Sequence, residues 1–206
     1  MTLNKKSLYA TITIVTILII DQVVKFLVKT NMSLGESINV FGSWFQICFI
    51  ENSGFAFGME FGGNWGKLAL SLFRIVAVGA LGWFLFKLIR EKYPISLIIG
   101  ISALFAGATG NIIDSVFYGQ IFSDSYGGVA TLFPEGGGYA SLLHGRVVDM
   151  FYFPIITGHF PSWFPFWGGE DFIFFRPIFN VADSAISVSI FYLLIFQRKN
   201  IAKLLK

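Results

Sequence analysis

Charged residues are scarce in this chain. Of its 206 residues only 13% are charged, whereas 55% are hydrophobic and 18% are aromatic, and the mean hydropathy is +0.70. An average soluble domain has about 25% charged residues. The shortage of charge excludes a soluble domain of ordinary composition and indicates a chain that crosses a membrane several times.

Cysteine and histidine are also nearly absent. The single cysteine, Cys48, has no partner for a disulfide within the chain, and we interpret it as a small buried residue. The two histidines, His144 and His159, lack the spacing of a zinc site. The sequence therefore predicts neither an internal disulfide nor a metal centre built from these residues.

Four apolar segments are long enough, at ~1.5 Å per residue, to cross the ~30 Å hydrocarbon core of a bilayer. The first follows Lys5 and Lys6 as a signal peptide would, but it is too long for one and no small-residue cleavage site follows it. We interpret it as an uncleaved anchor and the chain, 1–206, as a single integral-membrane domain. The predicted spans are about 8–28, 68–89, 95–117 and 178–196.

Basic residues are distributed unevenly around these spans. They gather at both ends of the chain and between the second and third spans, and Glu91 is the one acid among them. The excess places both termini in the cytoplasm, next to anionic lipid, and explains the net charge of +3 without a nucleic-acid surface. The residues are Lys5, Lys6, Lys87, Arg90, Lys92, Arg198, Lys199, Lys203 and Lys206.

Two long segments then lie on the outer side, at about 29–67 and 118–177. The first contains a β-leaning run at 44–50 and turn formers at 62–64, which predict a small sheet. The second contains an aromatic run at 160–167 whose rings suit the lipid headgroup layer, with interfacial anchoring or substrate contact as alternative roles. The predicted fold is an all-α membrane protein with four transmembrane helices and a small β-rich extracytoplasmic platform.

Four aspartates occur where a membrane-embedded chain should avoid charge. Holding a carboxylate in or near hydrocarbon costs at least a few kcal/mol, so such an acid is a functional hypothesis. From the span lengths, Asp21 lies ~10 Å and Asp183 ~8 Å below the outer surface of the core. Asp114 falls near the outer end of the third span and Asp149 in the segment before the fourth. All four can therefore converge on the outer leaflet.

Paired aspartates at such a depth favour one kind of chemistry. Two close carboxyls share a proton, so one activates a water as general base while the other polarises a carbonyl as acid, which is peptide hydrolysis. Nearby residues offer amides for hydrogen bonds, counter-charges, and glycines at which the backbone can approach a ligand closely. The alternatives are structural: asparagines also cap helices, and Asp21 can pair with Lys25 to stabilise the fold alone. These residues are Asn52, Asn111, Asn180, Lys25, Arg146, Gly54 and Gly110.

Five short motifs follow one another along residues 21 to 184. They are Asp21-Gln22-Val23-Val24-Lys25, Glu51-Asn52-Ser53-Gly54-Phe55-Ala56-Phe57-Gly58, Gly107-Ala108-Thr109-Gly110-Asn111-Ile112-Ile113-Asp114, Val147-Val148-Asp149 and Phe179-Asn180-Val181-Ala182-Asp183-Ser184. In content and order they resemble the motifs of the lipoprotein signal peptidase (signal peptidase II) family. The resemblance implies an aspartic endopeptidase of the bacterial inner membrane that removes signal peptides from prolipoproteins, cutting before a cysteine that carries diacylglycerol.

The resemblance also assigns roles. It implies that Asp149 and Asp183 are the catalytic dyad, that Asp21 and Lys25 are a supporting pair, and that globomycin inhibits the enzyme. It implies no metal and no organic cofactor. The acyl chains of the substrate would stay in the bilayer, so the scissile bond would lie near the outer surface. Positions that shape the pocket or bind substrate are matched by Asn52, Gly54, Asn111, Asp114, Asn180 and Ala182.

The chain departs from the family pattern at two places. Ser115 stands where the family commonly has an arginine, so we hypothesise that Arg146 supplies the positive charge; unaffected processing by Arg146→Ala would refute this. The 34-residue interval between the aspartates, 183 − 149, is also long. We expect the extended 118–177 segment to form an extracytoplasmic flap that acts as a lid.

Other functions predict different features. An intramembrane serine protease would use serine and histidine, but the candidate Asn52-Ser53-Gly54 lacks the leading glycine of such a site. Presenilin-like proteases would show Gly-x-Gly-Asp before the second acid. A small transporter predicts midplane acids and internal symmetry, whereas no repeat is visible here. A non-catalytic assembly subunit would tolerate loss of either aspartate.

Overall fold

The long apolar runs form helices because a helix satisfies all backbone hydrogen bonds within one segment. The computed structural model describes residues 3–53 and 63–204. The helices are α1 (Leu3–Asn31), α2 (Gly63–Arg90), α3 (Ile95–Ile113), α4 (Gly119–Ile121), α5 (Val181–Phe196) and α6 (Arg198–Leu204), with a π-helical turn at Asp114–Tyr118 between α3 and α4. The strands are β1 (Ser37–Phe41), β2 (Phe45–Asn52), β3 (Val147–Tyr152), β4 (Ile156–His159), β5 (Asp171–Phe174) and β6 (Ile178–Phe179).

Three helical segments in the described residues are long and apolar enough to cross a membrane, namely Lys5–Asn31, Trp65–Arg90 and Ile95–Ile121. They contain the residues of the first three predicted spans, which therefore lie in helical segments. A fourth span results if α5 and α6, which meet at an angle of 86°, are counted together. The 16 residues of α5 alone extend ~24 Å, which is short of a ~30 Å core.

The predicted start of the last span at Ile178 is wrong. Ile178 and Phe179 form β6, which pairs with Tyr152 and Phe151 of β3. The helix begins only after Asn180, whose backbone is extended (φ −120°, ψ −176°) and whose side chain accepts a hydrogen bond from the Asp183 N–H. An apolar pair such as Ile-Phe suits a strand or a helix, and here the cap decides the boundary.

The predicted small sheet is confirmed, and it extends beyond the strands of residues 29–67. Its four antiparallel strands have the order β1-β2-β3-β6, so the 118–177 segment and the residues after it supply half of the sheet. In the β2–β3 register Ile50 lies opposite Asp149 and Asn52 opposite Val147. A second sheet, a hairpin of β4 and β5, projects between β3 and β6.

The interior has two apolar clusters. One joins the sheet to α1 and the π-helical turn through Phe49, Phe122, Val148 and Met150, and the other packs the helices around Leu88, Leu97 and Ile98. Helix α3 is central and packs against α1 and α5. The outward faces of the spans carry exposed apolar side chains such as Trp83 and Phe73, as lipid contact requires.

Candidate active site

The two predicted catalytic aspartates come from elements that meet where the sheet joins the helices. Asp149 lies in β3 and is almost fully buried. Asp183 lies in the first turn of α5 and is half-buried. The sheet brings them together because β3 pairs with β6, and β6 leads directly into α5.

Asn180 connects the two carboxyl groups. Its side-chain Nδ2 donates to Asp149 Oδ1 over 2.7 Å, and its backbone N–H donates to Asp183 Oδ2 over 3.4 Å. The Asn180 Oδ1 in turn accepts from the Asp183 backbone N–H over 2.9 Å. One residue therefore caps α5 and fixes both carboxyls relative to each other.

Asn111, on α3, is a second amide at this point. Its Nδ2 donates to Asp183 Oδ1 over 2.7 Å, and its Oδ1 accepts from Asn180 Nδ2 over 3.0 Å and from Lys25 Nζ over 2.9 Å. The amide orientation follows from these partners. Asn111 thus connects the buried ammonium group of Lys25 to the Asp183 carboxyl by two hydrogen bonds.

Asp149 has an unusual proton affinity for an aspartate. Burial, followed by the negative charge of Asp183, raises its pKa to about 7, against opposing contributions from Lys25 and from hydrogen bonds by Asn180 and Asn52. A carboxyl with such a pKa holds a proton near neutral pH, which a general acid requires. The hydrogen bond also places Asn52, at the end of β2, beside this carboxyl.

The supporting pair, Asp21 and Lys25, is fully buried and has a third member. Lys25 is fully buried, and its Nζ lies 3.0 Å from Asp21 and 2.8 Å from Asp114. The predicted ion pair between Asp21 and Lys25 is confirmed. The second carboxylate explains how a lysine is held in the interior, since buried charges need partners.

Both carboxylates of this triad also accept hydrogen bonds from the backbone of the elements that carry Asp183 and Asp149. The Ala182 N–H donates to Asp21 over 2.8 Å, and the Val148 N–H donates to Asp114 over 3.2 Å. These amides belong to the residues immediately before Asp183 and Asp149. The triad therefore fixes the positions of α5 and β3 by hydrogen bonds.

Gln22 takes part in the same network, and we did not predict it. Its Nε2 donates to Asp114 over 3.0 Å and to Asp21 over 3.1 Å, while its Oε1 accepts from Tyr118 over 3.2 Å. Gln22 adjoins Asp21 within the first motif, so a polar residue inside an apolar span was the available signal.

Arg146 lies in a different cluster from the one we predicted. Its guanidinium is 2.9 Å from Glu51 and 3.0 Å from Asp124, and its backbone N–H donates to the Tyr139 hydroxyl. Glu51 also binds Lys29. The cluster connects the start of β3 to the end of β2. Arg146, which we expected beside the aspartates, forms its ion pairs with Glu51 and Asp124 instead.

A further cation that interacts with the two aspartates is Arg74 on α2. Its charge interacts first with Asp183 and then with Asp149. We did not single this residue out, although an arginine inside an apolar span is itself a functional signal. Of the other predicted residues, Gly54 lies outside the described residues. Within 3–53 and 63–204, no group of three or more His, Cys, Asp or Glu residues could hold a metal ion.

Fold and site together define a helical membrane protein in which two carboxyls, linked by amides, lie between a small sheet and the helices. The sequence model of the family described as Signal peptidase (SPase) II matches residues 13–198. The chain therefore belongs to the signal peptidase II family of membrane proteases.

Individual relatives agree with this assignment. The lipoprotein signal peptidase of Porphyromonas gingivalis strain ATCC 33277 is 55% identical over 93% of this chain and 84% of its own length. That of Amoebophilus asiaticus strain 5a2 is 34% identical over 89% of this chain and 75% of its own length. A solved bacterial membrane enzyme superposes with a TM-score of 0.61 at 25% identity, covering 94% of this chain and 90% of that one.

Proposed function

We propose that Asp149 and Asp183 cleave a peptide bond through a water molecule held between them. The observation that carries the proposal is the link through Asn180, which binds both carboxyls. Two linked carboxyls, one of which keeps its proton near neutral pH, provide an acid and a base at once. Asp149, with a pKa of about 7, is the acid, and Asp183 is the base.

The reaction then proceeds by proton transfers among these groups. Asp183 takes a proton from the water as the water oxygen attacks the carbonyl carbon, while Asp149 donates its proton to the carbonyl oxygen. In the breakdown step Asp183 returns the proton to the leaving amine, and Asp149 takes back the hydroxyl proton as the carbonyl re-forms. The amides of Asn52, Asn111 and Asn180 hold the two carboxyls in place throughout.

Cations tune this pair from two sides. Lys25 reaches it through Asn111, and Arg74 acts on both aspartates from α2. We propose that Arg74, rather than Arg146, is the positive charge of the site. Asp21, Asp114 and Ala182 act through the buried triad as positioning residues.

We further propose that the substrate is a prolipoprotein whose cysteine carries diacylglycerol, and that cleavage occurs just before that cysteine. The curated relatives carry the name lipoprotein signal peptidase. Basic residues at both chain ends and after α2 support cytoplasmic termini, four spans and a location in the bacterial inner membrane. The site then lies near the outer leaflet, and residues 118–177 form its extracytoplasmic flap. Gly54 contributes to the substrate pocket, and a globomycin-like peptide inhibits the enzyme by binding there.

Purified protein with two versions of one prolipoprotein tests the proposed substrate. We expect the diacylglyceryl-modified form to lose its signal peptide and the unmodified form to remain intact, because the lipid sets the depth of the scissile bond. Mass spectrometry of the product should show a lipidated cysteine at the new N-terminus. Equal cleavage of both forms, or cleavage at another bond, would contradict the proposal.

A further inference from the structure

The aromatic hairpin, formed by β4, β5 and the connecting residues 160–170, has a surface that the proposed chemistry leaves unused. It branches off between β3 and β6, so both of its ends adjoin the strands that position the aspartates. Residues 160–168 of its tip contain no charged side chain. Its polar groups include His159 and Asp171, whose side chains contact each other at the end of the strands.

The tip is organised so that some rings pack together and others point outward. Phe160 stacks on Phe164 with ring centroids 5.0 Å apart and contacts Phe172 at 5.1 Å. Outside this small cluster, Phe166 is 94% exposed and Trp163 78% exposed. Within the described residues these are among the most exposed aromatic rings.

Phe166 also has a strained backbone, with φ at 70°. Left-handed backbone favours glycine, and a phenylalanine adopts it at a cost in free energy. Burial within the protein does not offset the cost, because the ring is almost fully exposed. An external apolar partner would explain why a large ring is presented at this position.

The exposed rings continue beyond the hairpin. Trp44, in the turn between β1 and β2, lies 6.4 Å from Phe153 at the base of the hairpin and stacks near Phe41 at 6.2 Å, and both Trp44 and Phe41 are exposed. Aromatic surface spread over two separate turns suits an extended apolar layer better than a small ligand.

The hairpin is also within reach of the membrane. Its base is joined through β6 to Asn180, where α5 begins, and its four-residue strands extend only ~13 Å. Tryptophan favours the headgroup boundary, and phenylalanine adds apolar surface that interfacial segments bury beside it. We propose that the tip of the aromatic hairpin, with Trp163, Phe166 and Trp167, inserts into the headgroup layer of the bilayer in which the helices are embedded.

Such insertion would set the depth of the catalytic strands. With the hairpin tip in the headgroup layer, β3 and the start of α5 are held at a fixed level relative to the lipid. The inference stands apart from the proposed function, because a lipid contact of this kind exists whether or not the aspartates catalyse the reaction.

Tryptophan fluorescence in vesicles tests the proposal. In the full chain, Trp44, Trp65, Trp83 and Trp167 are changed to Phe, so that Trp163 is the only emitter, and the protein is reconstituted in phosphatidylglycerol–phosphatidylcholine vesicles. We expect lipids brominated near the headgroup end of the acyl chain to remove about half of the emission, because the ring lies in that layer. Lipids brominated near the methyl end should quench less.

Two further single-tryptophan proteins complete the design. Phe166→Trp, with the five native tryptophans changed to Phe, repeats the test at a second tip position. Tyr126→Trp, in a charged and exposed surrounding, is the matched aqueous control and should respond to acrylamide alone.

Three results would overturn the proposal. Quenching of the tip by acrylamide without any effect of brominated lipid would place the hairpin in water. Resistance to both quenchers would mean that protein, such as a second copy of the chain, covers the tip. Stronger quenching by the deep bromines would place the rings in the acyl region instead of the headgroup layer.

Discussion

Lys25 shows how a single residue decides whether this site can exist. Its ammonium group is fully buried and lies within ion-pair distance of Asp21 and Asp114. Removing one partner of a buried ion network leaves the other charges without compensation, which costs more than the network itself contributes. The lysine is therefore a structural requirement for two backbone anchors of the site.

We predict that Lys25→Met destabilises the protein by ~3–5 kcal/mol, because two buried carboxylates lose their cation. Thermal unfolding in detergent measures the change. Lys87→Met is the matched control, since Lys87 and Glu91 are both exposed and such a pair contributes ~0–1 kcal/mol. Similar melting temperatures for the two variants would contradict this account of the triad.

A second prediction concerns the proton on Asp149. Burial and the charge of Asp183 raise the pKa of this carboxyl to about 7, so it keeps its proton up to that pH and loses it above. We expect kcat/KM to fall about tenfold per pH unit above this value, because the general acid is lost. Rates measured with one lipidated substrate provide the test, and a flat profile up to about pH 9 would assign the acid role elsewhere.

At the scale of elements, the N-terminus of α5 performs two tasks through Asn180. The side-chain oxygen caps the helix, and the side-chain nitrogen binds Asp149. Serine caps helices about as well as asparagine but has no amide to extend to the carboxyl. The two tasks can therefore be separated by substitution.

We predict that Asn180→Ser keeps nearly native stability but loses activity by about tenfold to a hundredfold, because Asp149 is no longer held. Asn180→Ala should lose both activity and ~1 kcal/mol of stability, since the cap disappears as well. Paired measurements of unfolding and kcat separate the effects. If Asn180→Ser were fully active, the amide link between the aspartates would not matter for catalysis.

The close packing of α3 on α5 leads to another prediction. A Cβ at Gly107 would lie 2.5 Å from the Ala182 carbonyl oxygen, a backbone atom that moves only with α5. We expect Gly107→Ala to cost ~1–3 kcal/mol and to lower activity by displacing Asp183. Gly79→Ala, with open space around the added methyl, should be neutral or stabilising by up to ~1 kcal/mol. Equal unfolding temperatures would refute the tight contact.

The helices show where sequence reasoning succeeds and fails at this scale. The first three spans are long apolar runs, and length alone located them. The start of α5 was misplaced because Ile178 and Phe179 fit either a strand or a helix, although Asn180 followed by Asp183 carried a readable capping signal. The β4–β5 hairpin was not predicted, since its strands are only four residues long.

At the scale of the whole molecule, the site is assembled from α1, α3, β3 and α5, which are far apart in the sequence. Motif spacing and membrane depth indicated which aspartates and asparagines belong together. They did not reveal that β3 pairs with β2, that Arg146 pairs with Glu51, or that the charge of Arg74 interacts with the aspartates. Those facts depend on long-range pairing, which local patterns do not encode.

The most direct test of the central claim is signal-peptide cleavage by Asp149→Asn and Asp183→Asn, assayed on the same lipidated prolipoprotein. We predict that each variant folds and loses activity by at least about a hundredfold, because an amide can neither donate the proton nor accept it. Asp171→Asn, on the exposed aromatic hairpin, is the matched control and should cleave like the wild type. Near wild-type cleavage by either Asp149→Asn or Asp183→Asn would show that the two aspartates are not the catalytic pair.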